Sequence, residues 1–364
     1  MKGVILVENS FVHPYMPNSV PENKKAMLDE LGINSVEDIY KSIIPDELLY
    51  KERLDIPEPI RSEYELKRHV MGILNRDITT EEYTSFLGAG CYKHQVPAIC
   101  DEINSRGEFL TAYCGDTYSD HGKMQAIFEY TSMMGELLDT DVVSYTTYDG
   151  GQAVASSLRM AVRAVREKGM AGKVILVPKT MNPEIYSQVV QYCRNVAEVR
   201  KIAYEPETGL MDLEELKEQL AKKNVAAVFF ENPTYLGNFE TRGEEIAKLA
   251  HDAGAYCVVQ TEVAALGIME SPVNQGADIV CGDIQPLGMH IQFGGGQAGF
   301  IACNQNMDLV EQFPTYMYGI TETEKEDTYG WGRAMNYRSS HGSRENAKEY
   351  FGTETGLWAI TAGV

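Results

Sequence analysis

The sequence predicts an α/β protein with a parallel sheet covered on both faces, preceded by an extended N-terminal arm. Two observations predict it. From about residue 141, short apolar runs alternate with helix-period segments. Before residue 63, Pro residues at 14, 17, 21, 45, 57 and 59 interrupt any long regular element. Short continuous apolar strands separated by helices are the pattern of strands buried from two sides.

The arm, residues 1–62, carries short helix patterns near Pro21–Leu31 and near 35–40 and no long apolar periodicity. Residues 63–140 read as helical. Ser62 is placed to cap a helix from Glu63, with Leu66, Val70, Ile73 and Leu74 on one face. Thr80-Glu81-Glu82-Tyr83 reads as a second helix start. A further helix carries Val96, Ile99, Cys100 and Ile103. Another carries Met124, Ile127, Phe128, Thr131, Met134 and Leu138 at spacings of three and four.

The expected strands lie at 174–177, 225–230, 256–259, 279–281 and 299–302. Helical segments at 184–193, 212–222 and 244–252 separate them. This gives a large α/β domain over 141–335. The segment 336–364 is left as the start of a further, smaller domain.

Charge narrows the function. With 32 Lys and Arg against 53 Asp and Glu, the formal net charge is −21. Such a surface repels nucleic acid and anionic lipid, and no basic stretch compensates. Seven Cys occur without a CxxC pair, several inside apolar runs, which reads as reduced, buried thiol. No apolar stretch approaches the length of a membrane span, so a cytoplasmic protein without membrane contact is expected. No His pair has metal-ligand spacing, and no metal site is expected.

Three stretches carry candidate chemistry. Tyr148-Asp149-Gly150-Gly151-Gln152 precedes a helix. Its glycines can bring backbone close to a ligand, and the first helical turn offers N–H groups to a phosphate. A loop given glycines for its own geometry is the alternative. Glu262 follows the 256–259 strand, where a ligand crevice commonly opens. It reads either as an acid for a heteroaromatic nitrogen or as a capping carboxylate. The glycine-rich stretch 282–300, with Gly294-Gly295-Gly296, reads as close backbone contact or as a sharp connection.

Several segments in order resemble a known family. They are Phe86-Leu87-Gly88-Ala89-Gly90-Cys91-Tyr92, Val96-Pro97-Ala98-Ile99, Phe109-Leu110-Thr111-Ala112-Tyr113, Gln125-Ala126-Ile127-Phe128-Glu129-Tyr130 and Tyr148-Asp149-Gly150. Gln285-Pro286-Leu287-Gly288 with Phe293-Gly294-Gly295 adds to them. Together they resemble the first subunit of two-subunit glycine decarboxylases, the pyridoxal-phosphate-dependent P-protein of the glycine cleavage system. The resemblance runs nearly throughout, from His13.

It implies a fold-type-I, pyridoxal-phosphate-dependent transferase-like architecture with a large, mostly parallel sheet, a helical N-terminal arm and an incomplete C-terminal small domain. It also implies a hetero-oligomer, in which a lysine-bearing second subunit holds pyridoxal 5′-phosphate covalently and glycine is decarboxylated onto a lipoylated carrier protein. The strand-end position of the cofactor lysine falls at Gln285, which cannot form a Schiff base. Asp149, Gly150 and Gly151 fall at the phosphate loop and Glu262 at the acid facing the pyridine nitrogen, all as a relic site. Tyr92, Lys93, His94 and Tyr113 become candidates for an interface contribution to catalysis. The family's segment after Thr-Ala-Tyr is replaced by Cys114-Gly115-Asp116-Thr117-Tyr118-Ser119-Asp120, and its Arg-rich C-terminal run by 344–352. A subunit acting on another amino acid, or an inactive structural or regulatory partner, are the alternatives.

Overall fold

The computed structural model describes residues 12–50, 52, 54–86, 93–110, 121–292, 298–338, 344–345, 347–349 and 355–364. The chain divides into two units, Met1–Ile78 and Thr79–Val364. In the first, α1 (Pro21–Leu31) has Pro at its first position, where no N–H is needed, and ends on Gly32 in the left-handed region at φ 68°. A short α2 (Glu37–Lys41) follows. Then α3 (Glu63–Leu74) starts as expected, with the Ser62 hydroxyl accepting the Glu65 N–H at 3.4 Å. None of the described residues of this unit is buried.

The second unit opens differently from expectation at Thr80. Residues 80–83 form a turn, not a helix. The Thr79 hydroxyl accepts the Glu81 N–H at 3.3 Å, and such local capture competes with helix propagation. Then come α4 (Ala98–Asn104), α5 (His121–Leu138), β1 (Val142–Val143), α6 (Gly150–Glu167), β2 (Val174–Pro178), α7 (Pro183–Cys193), β3 (Glu198–Ile202), α8 (Leu213–Leu220), β4 (Val225–Asn232), α9 (Gly243–Asp252), β5 (Tyr256–Thr261), β6 (Ile279–Asp283), β7 (Gly299–Cys303), α10 (Met307–Val310), β8 (Met317–Glu322), β9 (Tyr329–Ala334) and α11 (Gly356–Gly363).

Seven strands form one sheet in the order β1-β7-β6-β5-β4-β2-β3. The neighbours from β3 through β6 pair in parallel, and β7 runs antiparallel to both β6 and β1. The strand runs read from sequence all lie in this sheet. The reversed β7 fits its connection: among the described residues between β6 and β7 there is no crossover helix, and a parallel pairing needs one.

Alternation along the strands builds two cores. Val174, Leu176, Val228, Phe230, Cys257, Val259 and Val280 face one side, with residues of α5, α8, α9 and α11. Ile175, Val177, Phe229, Val258, Ile279 and Cys281 face the other, with α6, α7 and α10. Burying a side chain such as Leu158 or Val258 contributes roughly 2 kcal/mol.

On the outer side of α6, a charged clamp holds a late segment of the chain. The Glu349 carboxylate, 8% exposed, accepts from Ser156 Oγ (2.8 Å), Arg159 Nε (3.0 Å) and Arg163 Nη1 (3.2 Å). Arg163 also donates to Gln312 O at 2.8 Å, and Arg159 to Tyr192 O at 2.7 Å. Burial pulls the Arg163 guanidinium below its usual range, and Glu349 pulls it back. Removing one member of such a group leaves buried charge uncompensated. Glu349→Ala is expected to lower stability by about 3 kcal/mol in urea unfolding. Asp252→Ala, which breaks the exposed Lys248–Asp252 pair, is expected to cost less than about 0.5 kcal/mol. Equal costs would show that Glu349 is not a clamp.

Candidate functional site

The parallel strands end together at one edge of the sheet, where α/β proteins place their ligand crevice. There β4 ends in Glu231-Asn232, followed by a cis Asn232–Pro233 bond. The Glu231 side chain turns back under the neighbouring loops. It accepts the backbone N–H of Asn182 (3.0 Å) and of Tyr235 (3.2 Å). It thereby ties the start of α7 to the segment after β4. Burial pushes its carboxyl up to about 7.

One strand over, Glu262 directly follows β5 and accepts the Ala264 N–H at 3.3 Å. Burial raises this carboxyl, and the nearby Asp283 adds to the rise. Asp283 itself ends β6. It accepts the N–H groups of Gln285 (2.7 Å) and Gly150 (3.1 Å). Burial, reinforced by Asp149, raises it to about 6. Asn182, Glu231, Tyr235, Phe239, Gln260, Glu262 and Asp283 line a cavity of about 280 Å³. No Lys, Arg or His lines it among the described residues. A larger hollow of about 540 Å³ lies beside α5, where β1 begins, away from the strand carboxyl ends.

The first turn of α6 meets this edge. Asp149 is its N-cap, with Oδ1 accepting the Gln152 N–H at 2.6 Å and Oδ2 accepting Gln188 Nε2 at 3.3 Å. The Gln152 side chain accepts the Tyr148 N–H in return, at 2.8 Å. The glycines serve a close approach, and the neighbours they admit are the chain's own. A Cβ at Gly150 would sit 3.1 Å from Asp283 Cβ and 3.3 Å from Asp283 N. A Cβ at Gly151 would strike the Gln188 amide. Asp283 and Asp149 therefore hold two N–H groups of the helix N-terminus, those of Gly150 and Gln152.

Of the residues singled out from sequence, Gly150 and Gln285 both donate to Asp283, Asp149 caps the same helix turn, Gly151 lies under the Gln188 amide, and Glu262 is near Asp283. Gln285 is 2% exposed, and its Nε2 donates to Met289 O at 2.9 Å. Lys93 forms an ion pair with Glu81 (2.8 Å) and donates to Thr80 O. The His94 ring is half-buried, and burial lowers its pKa. Tyr92, Tyr113 and the glycines at 294–296 lie outside the described residues. Sequence reasoning missed Glu231 and Asp283. The signal was present: each is an acid closing an apolar strand run. Among the described residues, no group of His, Cys, Asp and Glu could hold a metal ion, and no helix is long and apolar enough to cross a membrane.

The raised carboxyls dictate a pH dependence. Glu231 and Asp283 hold protons in the folded chain at pH values where the unfolded chain has released them. Stability therefore falls as pH rises from the ordinary carboxylate range through about 6 and about 7. The two groups contribute comparably, each on the order of 3 kcal/mol. In Glu231→Gln, the unfolding midpoint is expected to vary less between about pH 5 and about pH 8 than in the parent chain. An unchanged slope would assign the dependence elsewhere.

Comparison with known proteins agrees with this geometry. A sequence model of the glycine cleavage system P-protein matches residues 13–364. The probable glycine dehydrogenase (decarboxylating) subunit 1 of Staphylothermus marinus is 34% identical over 363 residues, covering 97% of this chain and 75% of that protein. The protein of the same description from Carboxydothermus hydrogenoformans is 36% identical over 351 residues, covering 96% of this chain and 76% of its own length. A crystal structure of glycine decarboxylase (P-protein) of the glycine cleavage system, in inhibitor-bound form, superposes with a TM-score of 0.79 at 30% identity. It covers 97% of this chain and 76% of the other. With sheet order, strand-end cleft and relatives in accord, the chain belongs to the glycine cleavage system P-protein family and has its fold-type-I α/β architecture.

Proposed function

We propose that this chain is the non-lysine subunit of a glycine-decarboxylating complex. A second, lysine-bearing subunit carries pyridoxal 5′-phosphate, and the aminomethyl group passes to a lipoylated carrier protein. One observation carries the reading: the sheet and its strand-end cleft are present, yet Gln285 stands where the Schiff-base lysine is expected, with its amide bonded to Met289 O. Relatives named subunit 1 of glycine dehydrogenase support it.

The residues of this chain's own cleft do not fit the cofactor. Gln285 offers no amine. The N–H groups of Gly150 and Gln152 are held by carboxylates. The cavity wall is acidic and, among the described residues, carries no cation. No reaction step is therefore assigned to it.

Tyr92, Lys93, His94 and Tyr113 form this chain's contribution to the partner's active site. Lys93 offers a cation to a substrate carboxylate. His94, held toward its neutral form by burial, offers a nitrogen for proton transfer. The arm, the helical segment 63–140, the large domain 141–335 and the segment 336–364 are its functional divisions.

Co-purification with a lysine-bearing partner, followed by glycine-dependent exchange of labelled CO2 with a lipoylated carrier, tests the proposal. The mixture is expected to be active and each subunit alone inactive. His94→Gln is expected to lower exchange about 100-fold with the complex intact. No complex, or equal activity without this chain, would overturn the assignment. Exchange with another amino acid but not glycine would favour a different substrate, for which the altered segment 114–120 is the motivating departure.

A further inference from the structure

The missing lysine is one obstacle to cofactor binding in this chain, and the geometry of α6 supplies a second, independent one. A helix N-terminus at a strand-end cleft attracts phosphate through its free N–H groups and its dipole. Here two of the first three, those of Gly150 and Gln152, already have anionic partners. Gly150 donates to Asp283 Oδ2 at 3.1 Å, and Gln152 donates to Asp149 Oδ1 at 2.6 Å. Each partner is itself anchored. Asp283 is anchored by the Gln285 N–H, and Asp149 by Gln188 Nε2. The Gln188 amide in turn fills the space over Gly151. A phosphate entering here would face two carboxylates at hydrogen-bond range, and the adjoining cavity, which Asp283 and Glu262 line, has no cation on its wall among the described residues.

We infer that Asp149 and Asp283 are built-in substitutes for a phosphate at the α6 N-terminus. They close this chain's cleft to phosphorylated pyridine cofactors independently of the missing lysine. Restoring an amine at the strand end would then leave the cleft blind to phosphate. Removing the two charges would open it.

The test uses the full chain and three probes: inorganic phosphate, pyridoxal 5′-phosphate and pyridoxal. Gln285→Lys and Pro286→Lys are made separately to return an amine. Asp149→Ser with Asp283→Asn removes both charges while keeping a capping hydroxyl and the Asp283 side-chain shape. Borohydride-trapped adducts and equilibrium dialysis are the readouts, with circular dichroism as the folding control.

Either lysine variant alone is expected to trap pyridoxal 5′-phosphate no better than pyridoxal. The charge-removed chain is expected to bind inorganic phosphate at least about tenfold tighter than the parent. Adding a lysine to it is expected to create a preference for the phosphorylated aldehyde. The inference fails if a lysine variant alone prefers pyridoxal 5′-phosphate, or if a folded charge-removed chain gains no phosphate affinity. Should the double substitution not fold, Asp149→Ser alone and the lysine variants still decide the matter. A failed inference would leave the partner-dependence test above untouched, since that test reads the complex and not this cleft.

Discussion

Helix α6 is buried over most of its length, and its first turn runs into the carboxyl end of β6. A buried helix start presents N–H groups that have no intrahelical acceptor and cannot reach water. Their satisfaction governs what surrounds them. Asp149 caps from within the chain's own turn, and Asp283 reaches in from the adjacent strand. Only glycine at 150 lets strand and helix approach closely enough for the second bond. Once both carboxylates are seated, Gln285 is positioned by its N–H on Asp283, and the segment after β6 turns away toward Met289. The cleft, its charge and its closed helix end all follow from that arrangement.

Much of this was legible in the sequence, for definite reasons. Strands β2, β4, β5, β6 and β7 are apolar on both faces and stood out as continuous runs. Edge strand β3 carries Glu198, Arg200 and Lys201 and had no such signature. The two-residue β1 was too short to show, and the β8–β9 hairpin is rich in glycine and polar residues. At the site, Asp149 and Gly150 stood out through a glycine turn before a helix and Glu262 as a strand-end acid, while Gln285 was identified through the family resemblance. Glu231 and Asp283 close apolar strand runs in the same way and were overlooked; what sets them apart, their contacts with Asn182 and Gly150, lies far away in sequence. Whether a turn glycine admits a ligand or another part of the same chain is decided by tertiary packing alone.

The family's sheet is kept here, while the charge at its strand ends is the reverse of what an anionic cofactor needs. Overall shape and local electrostatics are separable properties of a fold. A buried acid such as Glu231 stays compatible with folding because backbone N–H groups from two loops meet it and because it can keep its proton. The acids that make this edge electronegative also accept backbone N–H groups from its loops, so the charge of the edge and its cohesion have a common origin.

The Glu349 clamp bears on how the chain reaches this state. Its bond to Ser156 joins residues 193 positions apart, and that to Arg159 joins residues 190 apart. Contacts so distant in sequence carry a large loop-closure entropy and belong to topologies of high contact order. On a ribosome, α6 leaves the exit tunnel long before Glu349 is synthesised. Throughout that interval its arginines lack their acid, and the outer surface of the helix is uncovered. The nascent chain thus passes through a stage with a nearly finished sheet and an uncovered helix face, which lasts until Glu349 has been made.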